Sequence, residues 1–173
     1  MELLIEFAKI LLPAALVLYA MYLTIRTFLY KEIEKKLVDI KTKNTEIILP
    51  LRLQAYERIC LFLERISPIH LLPRVNNPEY SSEEFQQQLV QNIREEFTHN
   101  LSQQIYMSSI AWDLTKKSME DIITLINQSN NELRENASGL DLAKTIFEKL
   151  MQNEWDPTAD ALRALKEEIR ELF

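Results

Sequence analysis

Residues 81–105 read SSEEFQQQLVQNIREEFTHNLSQQI, and this stretch decides the fold class. Ser81 followed by Glu84 has the pattern of a capping box, in which each side chain bonds to the other residue's backbone amide at the start of a helix. Behind it, apolar residues recur at every fourth position, which is typical of one helix face. They are Phe85, Leu89, Ile93, Phe97, Leu101 and Ile105. The stretch predicts an amphipathic helix that packs against other helices.

The composition extends this prediction to the rest of the chain. Gly139 is the only glycine among 173 residues, whereas tight turns in strand-rich folds and phosphate-binding loops depend on glycine. Leucine, isoleucine, glutamate, glutamine, lysine and arginine are abundant, and most of these residues favour helices. The sequence therefore predicts an all-α protein and argues against β-sandwich, Rossmann and P-loop folds.

The segments on both sides of residues 81–105 complete a helical domain. Residues 51–66 are amphipathic, and Pro50 before them predicts a kink or a first helical turn. Three prolines predict one extended linker over Ser67 to Tyr80. On the other side, we expect a helix that Gly139 terminates and a last helix that starts at Asp156-Pro157. The sequence thus predicts an antiparallel bundle of four to five helices over residues 50–173.

A candidate membrane anchor precedes this domain. Ile10 to Ile25 reads ILLPAALVLYAMYLTI and is uncharged. With Phe7 and Ala8 it makes a helix of roughly 28 Å, close to the thickness of a bilayer's hydrocarbon core. The first six residues lack the basic charge of a cleaved signal peptide. We therefore predict a retained single transmembrane helix within residues 1–30. A buried helix of a soluble protein is the alternative, because the uncharged run is short.

Charge is unevenly distributed along the chain. From Arg26 to Lys43, six basic residues outnumber three acidic ones, whereas residues 44–173 carry 13 basic and 21 acidic residues. Because basic residues next to a span mark its cytoplasmic side, we predict a single-pass protein of the cell (inner) membrane with its C-terminal domain in the cytoplasm. An acidic domain is a poor match for nucleic acid.

Residues 31–49 form a basic juxtamembrane neck, which we expect to continue the anchor as a helical stalk. The neck contains five lysines: Lys31, Lys35, Lys36, Lys41 and Lys43. We predict that they contact an anionic membrane surface; the alternative is that they only orient the span. Five other neck residues have the spacing of a coiled-coil seam: Ile33, Leu37, Ile40, Asn44 and Ile47. They predict a parallel homodimeric coiled coil. The alternative, which the shortness of the repeat favours, is an amphipathic helix packed on its own domain.

No catalytic or metal-binding constellation emerges from the sequence. Glu95, Glu96 and His99 contain one Glu-x-x-His motif, but a carboxylate-bridged di-iron site needs a second such motif. The other histidine, His70, lies in the proline-rich segment without that spacing. Cys60 is the single cysteine, so no disulfide forms within the chain. We predict no cofactor, no metal and no enzymatic activity.

Arg52 to Arg74 reads RLQAYERICLFLERISPIHLLPR. Placed behind a short N-terminal anchor, this run resembles a family of uncharacterised small bacterial membrane-anchored helical proteins of unknown function. The resemblance covers most of the chain and implies a bacterial inner-membrane setting. It brings no known activity, ligand or catalytic residue.

These features rank three classes of function. An anchor joined to an acidic helical domain without catalytic motifs favours a membrane-tethered interaction, scaffold or accessory-subunit protein that binds a protein partner. A small-molecule-binding regulatory bundle is the second hypothesis, and an enzyme that uses helix-borne carboxylates is the third. An exposed apolar patch would favour the first class, and a deep pocket would favour the others.

Overall fold

The computed structural model describes the backbone of residues 1–152 and 155–171, and their side chains except those of residues 2–14, 38, 41, 44 and 45. Over these ranges the chain is helical, and its only β structure is an isolated bridge. The all-α prediction is confirmed. Among the helices so described, none combines the length and the apolar character needed to cross a membrane. Residues 10–14 of the predicted span lie outside the described side chains.

The described residues form six α-helices and one 3-10 helix, and the chain divides into two compact units, Met1–Leu49 and Pro50–Phe173. The helices are α1 (Glu2–Ile66), α2 (Pro68–Val75), α3 (Ser82–Asn100), the 3-10 helix (Leu101–Tyr106), α4 (Ser109–Asn131), α5 (Gly139–Gln152) and α6 (Ala159–Arg170). The first unit consists of the N-terminal part of α1. The second unit contains the C-terminal part of α1 and all the other helices.

Helix α1 does not restart at Pro50, because its backbone is helical on both sides of that residue. Proline lacks the amide that would bond to the carbonyl four residues earlier, and inside a helix this costs about 3 kcal/mol. The residues that follow offset the cost by packing, since Ala55, Ile59, Phe62 and Leu63 are buried. The amphipathic segment predicted over residues 51–66 is confirmed as this buried part of α1.

The extended linker predicted between Ser67 and Tyr80 is wrong over most of its length, because α2 occupies Pro68–Val75. Pro68 stands at the start of the helix, where no amide is needed. Leu71 and Leu72 are buried against the core, so packing overrides the unfavourable proline inside the helix.

The core of the second unit draws side chains from α1 to α6. Its members are among the most buried residues of the described chain: Tyr56, Ile59, Phe62, Leu63, Ile66, Leu71, Leu72, Phe85, Leu89, Ile93, Ala111, Trp112, Ile122, Leu125, Ile126, Leu142, Ile146, Ala161 and Leu165. Phe97 stacks on Trp112 with ring centroids 5.4 Å apart, which joins α3 to α4. The helical bundle predicted for this region is confirmed, but the described residues contribute six α-helices to it and not four to five, because α2 takes the place of the predicted linker.

The capping box that opens α3 is confirmed. The Glu84 amide donates to Ser81 Oγ over 3.2 Å, and the Ser81 amide donates to Glu84 Oε2 over 2.9 Å. The apolar stripe behind it is buried only as far as Ile93. Leu101 and Ile105 are exposed because the α-helix ends at Asn100 and a 3-10 turn redirects them.

Gly139 opens α5 and does not terminate α4, so this prediction was wrong. Ser138 and Asp141 form a second reciprocal cap, with the Asp141 amide 3.3 Å from Ser138 Oγ and the Ser138 amide 3.1 Å from Asp141 Oδ2. The left-handed residue between α4 and α5 is Asn136, with φ of 64°. A Cβ on Gly139 would lie 3.2 Å from Phe85 Cβ and from the Tyr80 carbonyl oxygen. Glycine is needed there for close approach.

An isolated antiparallel bridge between Ser81 and Ser138 ties the start of α3 to the start of α5. The Ser82 amide donates to the Ala137 carbonyl and the Gly139 amide donates to the Tyr80 carbonyl, each over 3.0 Å. At the other end of the domain, α6 starts at Ala159, two residues after the predicted first helical residue Pro157. Asp156 bonds to the amide of Thr158 and holds a turn before the helix.

Candidate functional site

Glu168 on α6 is the centre of a polar cluster inside the second unit. Its Oε1 accepts from the Tyr56 hydroxyl over 2.6 Å and from the Ser108 amide over 2.9 Å. Its Oε2 accepts from Ser108 Oγ over 2.8 Å. The Arg52 guanidinium lies 3.4 Å from Oε1 and also donates to the Tyr106 carbonyl over 3.0 Å. One carboxylate thus joins α1, the start of α4 and α6.

The cluster changes the acidity of two of its members. Burial, and after it the hydrogen bond to Glu168, together raise the pKa of Tyr56 to about 12. Burial would raise the pKa of Glu168, but hydrogen bonds from Tyr56 and Ser108 stabilise its charged form and hold its pKa below the ordinary value. At neutral pH Tyr56 is therefore a donor and Glu168 an anion. Tyr56, Ser108 and Arg52 occupy the Glu168 carboxylate, so the arrangement fits a structural connection between helices.

The sequence reasoning missed this cluster. Arg52 and Tyr56 are separated by one helical turn on α1, and this spacing could have suggested a polar face. Nothing in the sequence connects either residue to Glu168, since that pairing depends on the packing of α6 on the other helices. As an aromatic residue at helical spacing, Tyr56 is expected in the core, and it is fully buried.

A surface hollow of about 300 Å³ lies where α2 begins and α5 ends. Its described lining is mostly apolar: Ser67, Pro68, Ile69, Phe147, Leu150, Met151, Trp155, Asp156 and Pro157. Ile69 and Met151 are exposed although both are large and apolar, whereas most such side chains in this domain are buried. The apolar pattern of α5 predicts that Met151 faces inward with Leu142, Ile146, Phe147 and Leu150, but Met151 is 79% exposed. The hollow has the composition of a protein-contact surface.

A wider polar groove of about 730 Å³ runs along α3 beside α4. It is lined by Gln86, Gln87, Val90, Gln91, Arg94, Glu95, Thr98, His99 and Asn127. Glu96 is turned to Arg65, whose Nε lies 3.2 Å from Glu96 Oε1, while Glu95 accepts from Gln91 over 2.8 Å. The residues of the Glu-x-x-His motif are therefore engaged elsewhere or exposed. No group of three metal-ligating side chains occurs in the part of the chain that the structure describes.

The N-terminal part of α1 exposes apolar side chains around its whole circumference. Leu16, Val17, Leu18 and Tyr19 are consecutive and between 63% and 67% exposed. Successive helical residues point about 100° apart, so four in a row cover every side of the helix. Further exposed apolar residues follow as far as Tyr30: Met21, Tyr22, Leu23, Ile25, Phe28 and Leu29.

The neck residues continue α1 beyond this apolar segment. Lys31, Lys35, Lys36 and Lys43 are exposed, and Lys36 pairs with Glu32 over 3.6 Å. Ile33, Leu37, Ile40 and Ile47 are between 56% and 64% exposed. The side chains of Lys41 and Asn44 lie outside the described residues.

Comparison with known proteins gives one match. No curated protein and no solved structure matches the chain. The matching family is described as a family of unknown function, DUF7935, and the match covers residues 2–172. This confirms the expectation of an uncharacterised family, whereas the membrane and bacterial parts of that expectation stay predictions. Since the match spans nearly the whole sequence, the chain belongs to the family of unknown function DUF7935.

Proposed function

We propose that this protein is a membrane-tethered helical interaction protein, a scaffold or accessory subunit whose C-terminal domain faces the cytoplasm and binds a protein partner. The supporting observation is the apolar surface of α1 between Leu16 and Tyr30, which is exposed on every side of the helix. Burying one large aliphatic or aromatic side chain stabilises a protein by about 1.5–3 kcal/mol. A helix that leaves so many of them uncovered has the surface expected for a lipid environment.

Two threonines in this segment support the same proposal. Thr24 Oγ1 donates to the Ala20 carbonyl and Thr27 Oγ1 donates to the Leu23 carbonyl, each over 2.8 Å. A hydroxyl that faces hydrocarbon has no water to bond to, so it must be satisfied within the helix. Both hydroxyls already meet that condition. The described apolar side chains begin at Ala15, whereas the proposed span begins at Ile10.

The neck lysines support the proposed orientation to different degrees. With a rise of 1.5 Å per residue, Lys31 follows Ile25 by about 9 Å and Lys43 by about 27 Å. Charges separated by more than about 8 Å are largely screened at physiological salt. Lys31 lies about one screening length beyond Ile25 and therefore contributes most to lipid contact and topology, Lys35 and Lys36 contribute less, and the two later lysines act little on the bilayer.

The apolar hollow beside α2 is the surface that we propose for the protein partner. Ile69 and Met151 project into solvent beside Trp155. Large apolar and aromatic side chains of this kind form the centres of protein interfaces. The cytoplasmic domain would thus present an apolar contact while its anchor keeps it at the membrane.

Membrane fractionation of cells that express the full chain tests the tether. We expect the protein to stay with the membranes in alkaline carbonate and to be released when Val17 and Leu18 are both replaced by Asp. Ile33→Asp in the neck is the matched control and should leave it in the membranes. Release of the unaltered protein by carbonate would contradict the tether.

Cysteine accessibility tests the orientation independently. Glu135 is exposed in the loop between α4 and α5, so Glu135→Cys in a Cys60→Ser background gives one reactive site. An impermeant maleimide should label it only after the cells are broken. Labelling of intact cells would place the domain outside and overturn the cytoplasmic assignment.

A small-molecule-binding regulatory bundle is the second candidate. The groove along α3 supports it, because its volume of about 730 Å³ lies within the range of ligand sites. Its lining residues are polar apart from Val90 and the groove is open, however, whereas small-molecule sites are lined mostly by apolar residues and bury most of the ligand. Small molecules that co-purify with the protein and raise its melting temperature would favour this candidate, provided that Gln91→Ala removes the effect.

A further inference from the structure

The exposed apolar residues of the neck follow a strict heptad order. Ile33, Leu37, Ile40 and Ile47 are spaced by four, three and seven residues, with Asn44 at the intervening position. Because the step from a to d is three residues and the step from d to a is four, the isoleucines occupy d positions. Leu37 and Asn44 occupy a positions. The backbone is helical throughout this segment, so the register is unbroken.

We propose that the neck assembles three or four copies of this chain in a parallel coiled coil. The identities at a and d decide the number of copies. Dimers favour a β-branched residue at a with leucine at d, whereas leucine at a with isoleucine at d favours trimers and tetramers. In this neck isoleucine occupies all three d positions and leucine occupies one of the two a positions, with Asn44 at the other. The sequence predicts a homodimer in which Asn44 fixes the register and the dimer; this proposal replaces the homodimer with a larger assembly because isoleucine occupies every d position.

The width of the apolar stripe between Ile33 and Ile47 indicates whether it packs against another helix or against the helical bundle of its own chain. A helix that packs on a globular core carries an apolar face more than 100° wide, whereas a seam confined to a and d is narrower. Between Ile33 and Ile47, Val38 is the only large aliphatic residue outside a and d. The four described seam residues are more than half exposed. A narrow, uncovered and regular stripe fits helices with the same repeat.

Further copies of the same chain are the partners that match it best. This step rests on the proposed membrane tether, which gives all copies the same direction and the same height above the bilayer. Identical a and d layers then meet in register without any sliding. Tethering also raises the effective concentration, which compensates for a seam of little more than two heptads.

One charge pair opposes the assembly. Lys36 occupies a g position and Lys41 an e position, and in parallel helices these positions face each other across the seam. Like charges there repel, and salt weakens the repulsion. The assembly should therefore become more stable as ionic strength rises, whereas an interface held by salt bridges would weaken.

The first experiment counts copies. The full-length protein in lipid nanodiscs and in native membranes is treated with an amine-reactive cross-linker, and its mass in detergent is measured by sedimentation. We expect cross-linked ladders that stop at three or four copies and a matching mass. A ladder that stops at two, or a chain that is monomeric in bilayers, overturns the proposal. Cross-linking only to a different protein identifies a foreign partner helix and overturns it too.

The second experiment exchanges the residues at a and d while nearly conserving composition. A variant with Ile33→Leu, Leu37→Ile, Ile40→Leu and Ile47→Leu places isoleucine at a and leucine at d. We expect it to form dimers where the unaltered chain forms trimers or tetramers. An unchanged copy number would show that these layers do not set the assembly.

Two aspartate variants, one inside the coiled-coil seam and one outside it, distinguish loss of the seam from the general effect of adding a negative charge to the neck. Ile40→Asp puts a charge into a d layer, and Lys35→Asp puts one at the outward f position. We expect Ile40→Asp to be monomeric with an unchanged melting temperature of the bundle, and Lys35→Asp to assemble normally. A lower melting temperature in Ile40→Asp alone would mean that the stripe packs on its own domain. Carbonate extraction of the same variants measures membrane anchoring independently. A result against the membrane tether can therefore be distinguished from a result against the coiled coil.

Discussion

At the scale of single residues, Glu168 joins several segments of the chain. Its carboxylate accepts from Tyr56 and Ser108 and faces Arg52, so three segments far apart in sequence meet at one side chain. A hydrogen bond to a charged group contributes about 1.5–3 kcal/mol, and removing one partner leaves the others unsatisfied. The stability of the domain should therefore depend on this carboxylate more than on any exposed glutamate.

Glu168→Gln tests that dependence. An amide has one acceptor oxygen, and its nitrogen would face the Ser108 donors, so we expect the free energy of unfolding to fall by about 2–3 kcal/mol. Glu167→Gln changes the adjacent, exposed glutamate of α6 and should alter it by less than about 0.5 kcal/mol. Chemical denaturation of the full chain measures both, and equal effects would contradict the role given to Glu168.

The same cluster predicts how stability changes with pH. The folded-state pKa of Glu168 is lowered, so its contribution is present above the ordinary glutamate pKa and is lost as the pH falls through the folded-state pKa. The pKa of Tyr56 is raised to about 12, so its contribution is present below about pH 10 and is lost as the pH rises toward 12.

Denaturation of the unaltered chain and of two variants across this range checks both signs. The stability difference from Glu168→Gln should shrink below about pH 4, and the difference from Tyr56→Phe should shrink above about pH 10. The exposed caps Glu84 and Asp141 also have lowered pKa values, because of hydrogen bonds from Ser81 and Ser138. Glu84 and Asp141 are present in the unaltered chain and in both variants. Their contribution therefore cancels when the stability of each variant is subtracted from that of the unaltered chain. A Glu168→Gln difference that stays constant in acid would contradict the assignment.

At the scale of secondary-structure elements, Gly139 shows how packing overrides propensity. Alanine favours a helix over glycine by about 1 kcal/mol. Its Cβ, however, would lie 3.2 Å from Phe85 Cβ and from the Tyr80 carbonyl oxygen, which is itself held by the Gly139 amide. Neither atom is at the end of a flexible side chain, so the contact cannot relax cheaply.

We therefore expect Gly139→Ala to lower the melting temperature, with a net loss of about 1–2 kcal/mol because overpacking exceeds the gain in propensity. Lys144→Ala, on the exposed side of α5, is the control for helix propensity and should be nearly neutral. Thermal melts of the two variants give the comparison. A stabilised Gly139→Ala would show that α3 and α5 separate easily at this point.

Elements with a local cause could be predicted from the sequence, whereas those with a distant cause could not. The Ser81 capping box depends on a few neighbouring residues, and it occurs. The helix at Pro68–Val75 depends on burial of Leu71 and Leu72 against other helices, which overrides Pro73 inside the helix. The role of Gly139 depends on Phe85 and Tyr80, which lie far away in sequence. The contact between Tyr56 and Glu168 likewise has no local signal.

At the scale of the whole molecule, the core residues lie in one of the two units. Every member from Tyr56 to Leu165 belongs to Pro50–Phe173. We expect a protein of residues 50–173 to fold without the preceding segment and to melt cooperatively with a strongly helical circular dichroism spectrum. Aggregation or a gradual melt would mean that residues before Pro50 complete the core. Arg52→Ala in this shorter protein should retain the helical spectrum but melt at a lower temperature.

The bridge between Ser81 and Ser138 also has a kinetic consequence. Its two amides, on Ser82 and Gly139, are protected by bonds that close a ring containing α3, the 3-10 helix and α4. The entropy lost in closing such a ring grows only with the logarithm of its length, but it is lost before the ring gains its contacts. Hydrogen exchange at Ser82 and Gly139 should therefore occur at one common rate, set by the opening of the ring. Exchange at these two amides, at opposite ends of a long segment, would then measure the same opening event of the domain.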